Sequence, residues 1–300
     1  MSDRPLRLLL PLIASALLAV AMAHPALAWS HVSVEAPPDA EGCEAIRVRF
    51  GDVAAVRDVQ TLAVAGGTPL RLHAPSSVGV RVTGWDRADF EITACKAARD
   101  AEALSRISVS APRGVVSVSG VDGDTAALFF HVKAPRGATL DLAAENGPMG
   151  LRDLEANVSA RVTNGPISFS RVRGAVTAEA ENGPVSLRGV SGDWNVKVTN
   201  GPLSARFAGT RWEGKGLVAE TVNGPLTVRL DPRFDSALRV SGPGHSPFRC
   251  RATACADARR SSPEDEGDER VVEIGRGEPS VRLSTVNGPV TISDDAADAD

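Results

Sequence analysis

The chain has no tyrosine, and aromatic residues fill only 4% of its 300 positions. A groove that grips sugars or bases by aromatic stacking is therefore poorly supplied. Metal and nucleophile chemistry is equally thin. His31, His73, His131 and His245 are scattered, with no His-x-His pair and no Gly-x-Ser-x-Gly elbow. The four cysteines do not have zinc-site spacing. With a net charge of −4 the chain lacks the basic excess of a nucleic-acid binder, so no nucleic-acid partner is expected.

One long apolar run occurs, at the N-terminus. Arg4 and Arg7 precede the run from Leu8 to Ala23, which Pro11 interrupts, and Ala26-Leu27-Ala28 follows as a small-x-small cleavage site. Residues 1–28 are therefore expected to be a signal peptide. The mature chain is expected to be exported, to the periplasm, the cell surface or the medium, and not to be an integral membrane protein. Cys43, Cys95, Cys250 and Cys255 suit an oxidising compartment. Four cysteines allow three connectivities, and proximity favours Cys250–Cys255 and Cys43–Cys95.

What the sequence has in abundance is corners. Gly occurs 28 times and Pro 20 times, and the tripeptide Asn-Gly-Pro recurs at Asn146, Asn164, Asn182, Asn200, Asn223 and Asn287. The first three intervals are 18 residues, the next 23, the last 64. A fixed period marks a stacked-repeat architecture.

Alignment on Asn extends the register to both sides. Six residues before it stand Leu140, Val158, Val176, Trp194, Leu217 and Val281; four before stand Leu142, Ala160, Ala178, Val196, Ala219 and Leu283. Three residues after it stand Met149, Ile167, Val185, Leu203, Leu226 and Val290. Apolar residues at every second position make one buried strand face. The Asn shares that phase, so its amide is expected to point inward and to bond to the Asn of the next coil.

Asn-Gly is also a hairpin signal, but an antiparallel meander would need a second, equally regular turn at the opposite end. The expectation is an all-β fold: a single-stranded parallel β-solenoid (β-helix), right-handed, with coils of about 18 residues. Residues 29–104 lack the period and read as an N-terminal β cap with one helix around Ala97 to Leu104. Residues 105–293 read as solenoid repeats interrupted by a loop insertion at about 231–277, and 294–300 as an acidic tail. Ala-Pro at Ala74, Ala111 and Ala134 marks degenerate early coils.

The repeated strand-Asn-Gly-x-strand unit, with Gly84-Trp85-Asp86 and Ile274-Gly275-Arg276-Gly277 before the last coil, resembles a bacterial "putative adhesin" family with β-strand repeats. That family is related to the head GIN domain of auto-transporter adhesins, and the likeness spans most of residues 60–293. It implies an exported β-solenoid at the cell envelope with an adhesive role. It brings no catalytic residues and no cofactor.

Two outward columns bear on function. Glu145 and Glu181 precede their Asn two coils apart, at about 10 Å on stacking geometry, which resembles a glycosidase pair. Both belong to the repeating column Glu, Thr, Glu, Thr, Val, Val, and a solvated face explains them better. Six residues after Asn stand Arg152, Ser170, Arg188, Arg206 and Arg229. Arg188, Arg206 and Arg229 fall on consecutive coils as a basic stripe. Left uncompensated they repel one another, and an anionic envelope glycan or a protein partner would stabilise them; the alternative is acidic neighbours across the loop return or simple solvation. Trp194 falls in a core column, and Trp212 is expected to be exposed on the five-residue excess of its coil.

The sequence thus reads as a non-enzymatic adhesin-like or scaffolding module without cofactor or metal. The alternatives are a periplasmic sensor or partner-binding protein that uses the 231–277 insertion, and a β-helix carbohydrate-active enzyme.

Overall fold

A computed structural model describes residues 32–35, 42–75, 77–261 and 268–295. The expected signal peptide 1–28, His31 and tail residues 296–300 lie outside the described residues.

Each Asn-Gly-Pro joins two strands. Thr139–Asn146, Asn157–Asn164, Ser191–Asn200, Gly216–Asn223 and Val281–Asn287 all end on the Asn. The strand Ile167–Asn182 serves two successive coils. These limbs pair in parallel, with Asn146, Asn164, Asn182, Asn200, Asn223 and Asn287 each facing the next. The limbs after the corner pair in the same sense, Met149 with Ile167, then Val185, Leu203, Leu226 and Val290. Each such pair of limbs is called a rung below. The alternating apolar residues of both limbs are buried in one continuous core. Trp194 is within it, edge-on to Phe169 at 5.0 Å, with Nε1 donating to the Ser191 carbonyl at 2.8 Å.

The 22-stranded sheet is nevertheless mixed. Val56–Val64, Phe90–Ala98 and Ala126–Pro135 form an antiparallel ladder at the N-terminal end. Leu238–Pro243, Glu269–Ile274 and Arg259–Ser261 do so at the other. The uniformly parallel stack expected from the corners thus describes the repeat region and not the whole sheet. Antiparallel strands occupy positions where a parallel ladder would leave donors and acceptors unpaired.

Two rungs lie out of chain order. Leu70–Ala74 and Val78–Trp85 pair in parallel with 140–144 and 149–152, and on their other side with 115–116 and 128–135. At the far end the last rung, 281–294, lies between 217–230 and the strands Leu238–Pro243 and Phe248–Cys250. Much of the stretch 231–277, expected to be a loop, is therefore built into the stack. Leu238 and Val240 alternate with polar neighbours and are completely buried, though no Asn-Gly-Pro marks their corner.

Two further expectations are corrected. The helix is Ala101–Arg106, not 97–104, because Phe90–Ala98 completes a strand and Asp100 caps the helix by accepting from the Ala103 N–H at 2.8 Å. Trp212 is buried, packed edge-on to Phe207 at 5.9 Å, because the longer turn folds back over Phe207 and Phe234. A small antiparallel sheet, Val32–Glu35, Arg47–Phe50 and Val53–Ala54, rests through Ile46, Val48 and Phe50 on Ala97, Ala127 and Phe129.

Candidate anion-binding face

The corners set the geometry of everything outside them. Each Asn Nδ2 donates to the Oδ1 of the preceding one, at 2.8 Å for Asn164 to Asn146 and at 2.9–3.0 Å for the four bonds that follow. All six side chains are exposed, so this ladder runs along the outside of the corner and not inside it. The inward phase ends two residues earlier, at Ala144, Val162, Ala180, Val198, Thr221 and Thr285. The chain is already turning at the Asn, so two successive side chains face outward. The two buried threonines donate to the carbonyls of Gly201 and Gly224 on the preceding rungs, at 2.7 and 2.8 Å.

Glycine is required at the corner on two grounds. Gly183 has φ 154°, and a Cβ there would lie 2.1 Å from the Gly165 carbonyl oxygen. Its N–H donates to the Asn200 carbonyl at 2.9 Å, while the Val185 N–H donates to the Pro202 carbonyl at 2.9 Å. Proline between them has no N–H to leave unpaired.

The limb after the corner presents two outward columns. Gly150, Ser168, Ser186, Ser204, Thr227 and Thr291 follow one another, and beside them run Arg152, Ser170, Arg188, Arg206, Arg229 and Ser293. Together with Arg81 and Phe129 at one end, much of this surface lines an open groove of about 710 Å³. Its floor is short side chains and its flank is guanidinium. The sequence reading found the arginines but missed the hydroxyl column, which was visible as Ser, Ser, Ser, Thr four residues after successive Asn.

The stripe has an acidic neighbour at its centre. Arg206 Nε meets Asp295 Oδ2 at 2.5 Å, with the two side chains only 17% and 15% exposed. Arg152 Nε donates to Thr83 Oγ1 at 3.2 Å. Arg188 and Arg229 are exposed on the rungs to either side of Arg206. The stacking of positive charge is thus relieved at its centre by a carboxylate from the chain's own C-terminal segment.

His131 lies beside Arg81 in register, 5.0 Å from the Phe129 ring, with Nε2 buried and unpartnered. Burial, reinforced by Arg81 and Arg152 against the opposing Glu44, pulls its pKa down to about 4. It is neutral at pH 7. His73 and His245 are elsewhere, each beside a single aspartate. Glu145 and Glu181 are exposed at their corners with the rung of Thr163 between them. Among the described residues no three His, Cys, Asp or Glu side chains gather where they could hold a metal. The outward charges three residues before Asn include one bonded pair, Arg161 to Glu179 at 3.2 Å, too exposed to contribute much.

Cys43 is bonded to Cys95, tying the small N-terminal sheet to the main one, and Cys250 is bonded to Cys255. A second concavity, about 530 Å³ and mostly apolar, lies under the small sheet between Val32, Ile46, Val59 and Phe129. Among the described residues no helix is long and apolar enough to cross a membrane.

No protein-family model matches the chain, and no curated protein does. Solved structures resemble it at low identity. A "putative cell adhesion protein" from Clostridium sporogenes is 8% identical, with 80% of this chain and 100% of that one covered and a TM-score of 0.31. A "putative adhesin" from Parabacteroides distasonis is 10% identical over 82% of this chain and 98% of that one, at a TM-score of 0.29. A "putative lipid binding protein" from the same species is 8% identical over 80% and 97%, at a TM-score of 0.30. TM-scores this low do not amount to a shared superposition. The resemblance to adhesin-type proteins extends to neighbours of that description and not to a matched family.

Proposed function

We propose that the chain is an exported, non-enzymatic envelope module, a parallel β-solenoid through its repeat region with antiparallel strands at either end, that binds an acidic glycan along its arginine–hydroxyl face. The observation that carries this reading is the register of Arg188, Arg206 and Arg229 on consecutive rungs beside Ser186, Ser204 and Thr227. Guanidinium forks match carboxylate or phosphate, and short hydroxyl side chains let a polymer lie close to the sheet. The repeat of about 4.8 Å per rung suits a chain of anionic units better than one small molecule. Two disulfides accord with an oxidising compartment. In this reading the described residues 32–35, 42–64 and 86–104 serve as the cap, and the chain enters the stack at Leu70.

Recognition through 231–277 is less favoured, because its strands pair into the stack instead of projecting from it. Catalysis by Glu145 and Glu181 is less favoured, because both are exposed members of a repeating corner column with the rung of Thr163 between them.

The test is retention on immobilised polygalacturonate across a salt gradient. Wild type is expected to elute later than the Arg188→Ser/Arg206→Ser/Arg229→Ser variant, with a steeper salt dependence. Equal retention would refute the face as the binding surface. Protease treatment of intact cells places the module: release supports surface display, and full protection a periplasmic one.

A further inference from the structure

We propose that the acidic glycan reaches this face attached to a lipid. Its acyl chain occupies the apolar cavity under the small N-terminal sheet, and the acidic sugar beside it meets Arg81 at the head of the arginine–hydroxyl groove. The inference rests on the reading of the face as an anion site.

Register brings the two concavities together. Phe129 stands opposite Gly79, where a Cβ would lie 2.4 Å from the ring, so the ring covers that strand. Two residues further along the same strands His131 stands opposite Arg81. Arg81 stands in turn opposite Gly150, the first member of the hydroxyl column. Residues two apart on a strand share a face at a spacing of about 7 Å. Phe129 and Pro148 line both the cavity and the groove.

The cavity has the build of a ligand site. Its volume of about 530 Å³ falls within the roughly 300–1,000 Å³ of such sites. The floor is Ala97, Ala127 and Phe129, the roof Ile46 and Val48, and the Cys43–Cys95 bond ties one to the other. Val34 and Val59, 48% and 55% exposed, carry the apolar lining out to the surface, where an acyl chain would cover them.

Charge separates the two halves. Around the cavity it cancels: Lys96 holds Asp58 at 3.1 Å, and Arg57 and Glu44 bring one charge of each sign. Among the described residues that line the groove six are arginine and none is acidic, although Arg171 and Arg206 each hold an aspartate. The cavity therefore selects an apolar chain and the groove a negative charge. A ligand that satisfies both is an anionic amphiphile.

The experiment measures, by calorimetry below the micelle threshold, the affinity of the full chain for dodecyl β-glucuronide. Methyl β-glucuronide supplies the head alone, and dodecyl β-glucoside the chain without charge. The dodecyl glucuronide is expected to bind roughly a hundredfold more tightly than the methyl compound, the effect of burying about four methylenes. It should also bind several-fold more tightly than the glucoside, a difference that Arg81→Ser should erase. Ala127→Leu fills the cavity from its floor and should weaken both dodecyl compounds about tenfold. Val34→Asn/Val59→Asn, at exposed positions where folding is little affected, should do the same if Ala127→Leu does not fold. Dodecyl glucuronide binding no tighter than methyl glucuronide, with polygalacturonate still retained, would overturn the acyl site and leave the anion face standing. Unchanged affinity in the valine variant would do the same. Equal binding of dodecyl glucuronide and dodecyl glucoside would overturn the link between cavity and groove. If wild type and the arginine variant were also retained equally on polygalacturonate, the face would fall with it.

Discussion

Arg171 stands one rung beyond Asp153 and holds its carboxylate through Nε at 2.6 Å and Nη2 at 2.9 Å, while both residues keep positive φ, 53° and 58°. Non-glycine residues in that region carry roughly 1–3 kcal/mol of strain each. The next residue of the column is Gly189, with φ 58°, for which the same conformation is unstrained. Arg171 is 63% exposed, so a double-mutant cycle of Asp153→Ala and Arg171→Ala should give a coupling of only about 0.5–1 kcal/mol. Arg171→Gly should be better tolerated than Arg171→Ala. Hydrogen bonding from Arg171 lowers the Asp153 pKa. Its contribution is therefore present above the ordinary carboxylate range and lost as pH falls through the lowered value. Asp153→Asn should remove that part of the acid transition, and an unchanged acid limb would contradict the pair's role.

The corners should tolerate no side chain. Gly183→Ala places a methyl 2.1 Å from the Gly165 oxygen, so urea unfolding should show a loss of about 2–4 kcal/mol. Gly67 has φ 85° but nothing within 4 Å, so Gly67→Ala should cost about 1 kcal/mol, from backbone strain alone. Equal costs would mean that close rung contact does not govern the corner.

The asparagine ladder should contribute modestly. Asn182→Ala removes two bonds, of 3.0 and 2.9 Å, but the amides left behind are exposed and water can replace the partner. A loss near 1 kcal/mol is expected. Zero loss would mean the ladder is decorative; a loss beyond about 3 kcal/mol would require buried amides, contrary to their exposure.

His131 sets a pH slope of its own. The unfolded chain takes up its proton near the ordinary value of 6.5, whereas the folded one waits until about 4. Stability is therefore complete above the first value and declines as pH falls from 6.5 towards 4. The urea midpoint of wild type should drop between pH 7 and pH 5, and His131→Gln should flatten part of that drop. An identical slope in the variant would assign it to other groups.

The repeat region was legible because its information is local. Alternation at Leu140, Leu142 and Ala144, closed by Asn-Gly-Pro, fixes strand, face and corner within ten residues, and five further copies confirm the register. The out-of-order rungs were not legible. Leu238-Arg239-Val240 is too short a pattern to announce a strand, and which rung it joins is decided by contacts distant in sequence. Burial of Trp212 depends likewise on a turn whose length, not composition, brings it over Phe207. For the candidate site the arginine column followed from register. The carboxylate that meets Arg206 could not, since Asp295 is 89 residues away and follows the final rung. The inward expectation for Asn failed because strand phase was carried two residues too far, into the corner itself.

Every column above depends on consecutive corners lying one rung apart in parallel. Oxidative cross-linking tests this most directly. Ser168 and Ser186 pair in register, so Ser168→Cys/Ser186→Cys should place Cα atoms about 4.8 Å apart, within the roughly 4.4–6.8 Å that a disulfide spans. Ser168→Cys/Ser204→Cys spans two rungs, about 9.6 Å. The account predicts rapid bridging in the first variant and none in the second, with the native disulfides intact. Bridging in the second, or in neither, would contradict the stacking from which the arginine–hydroxyl face is built.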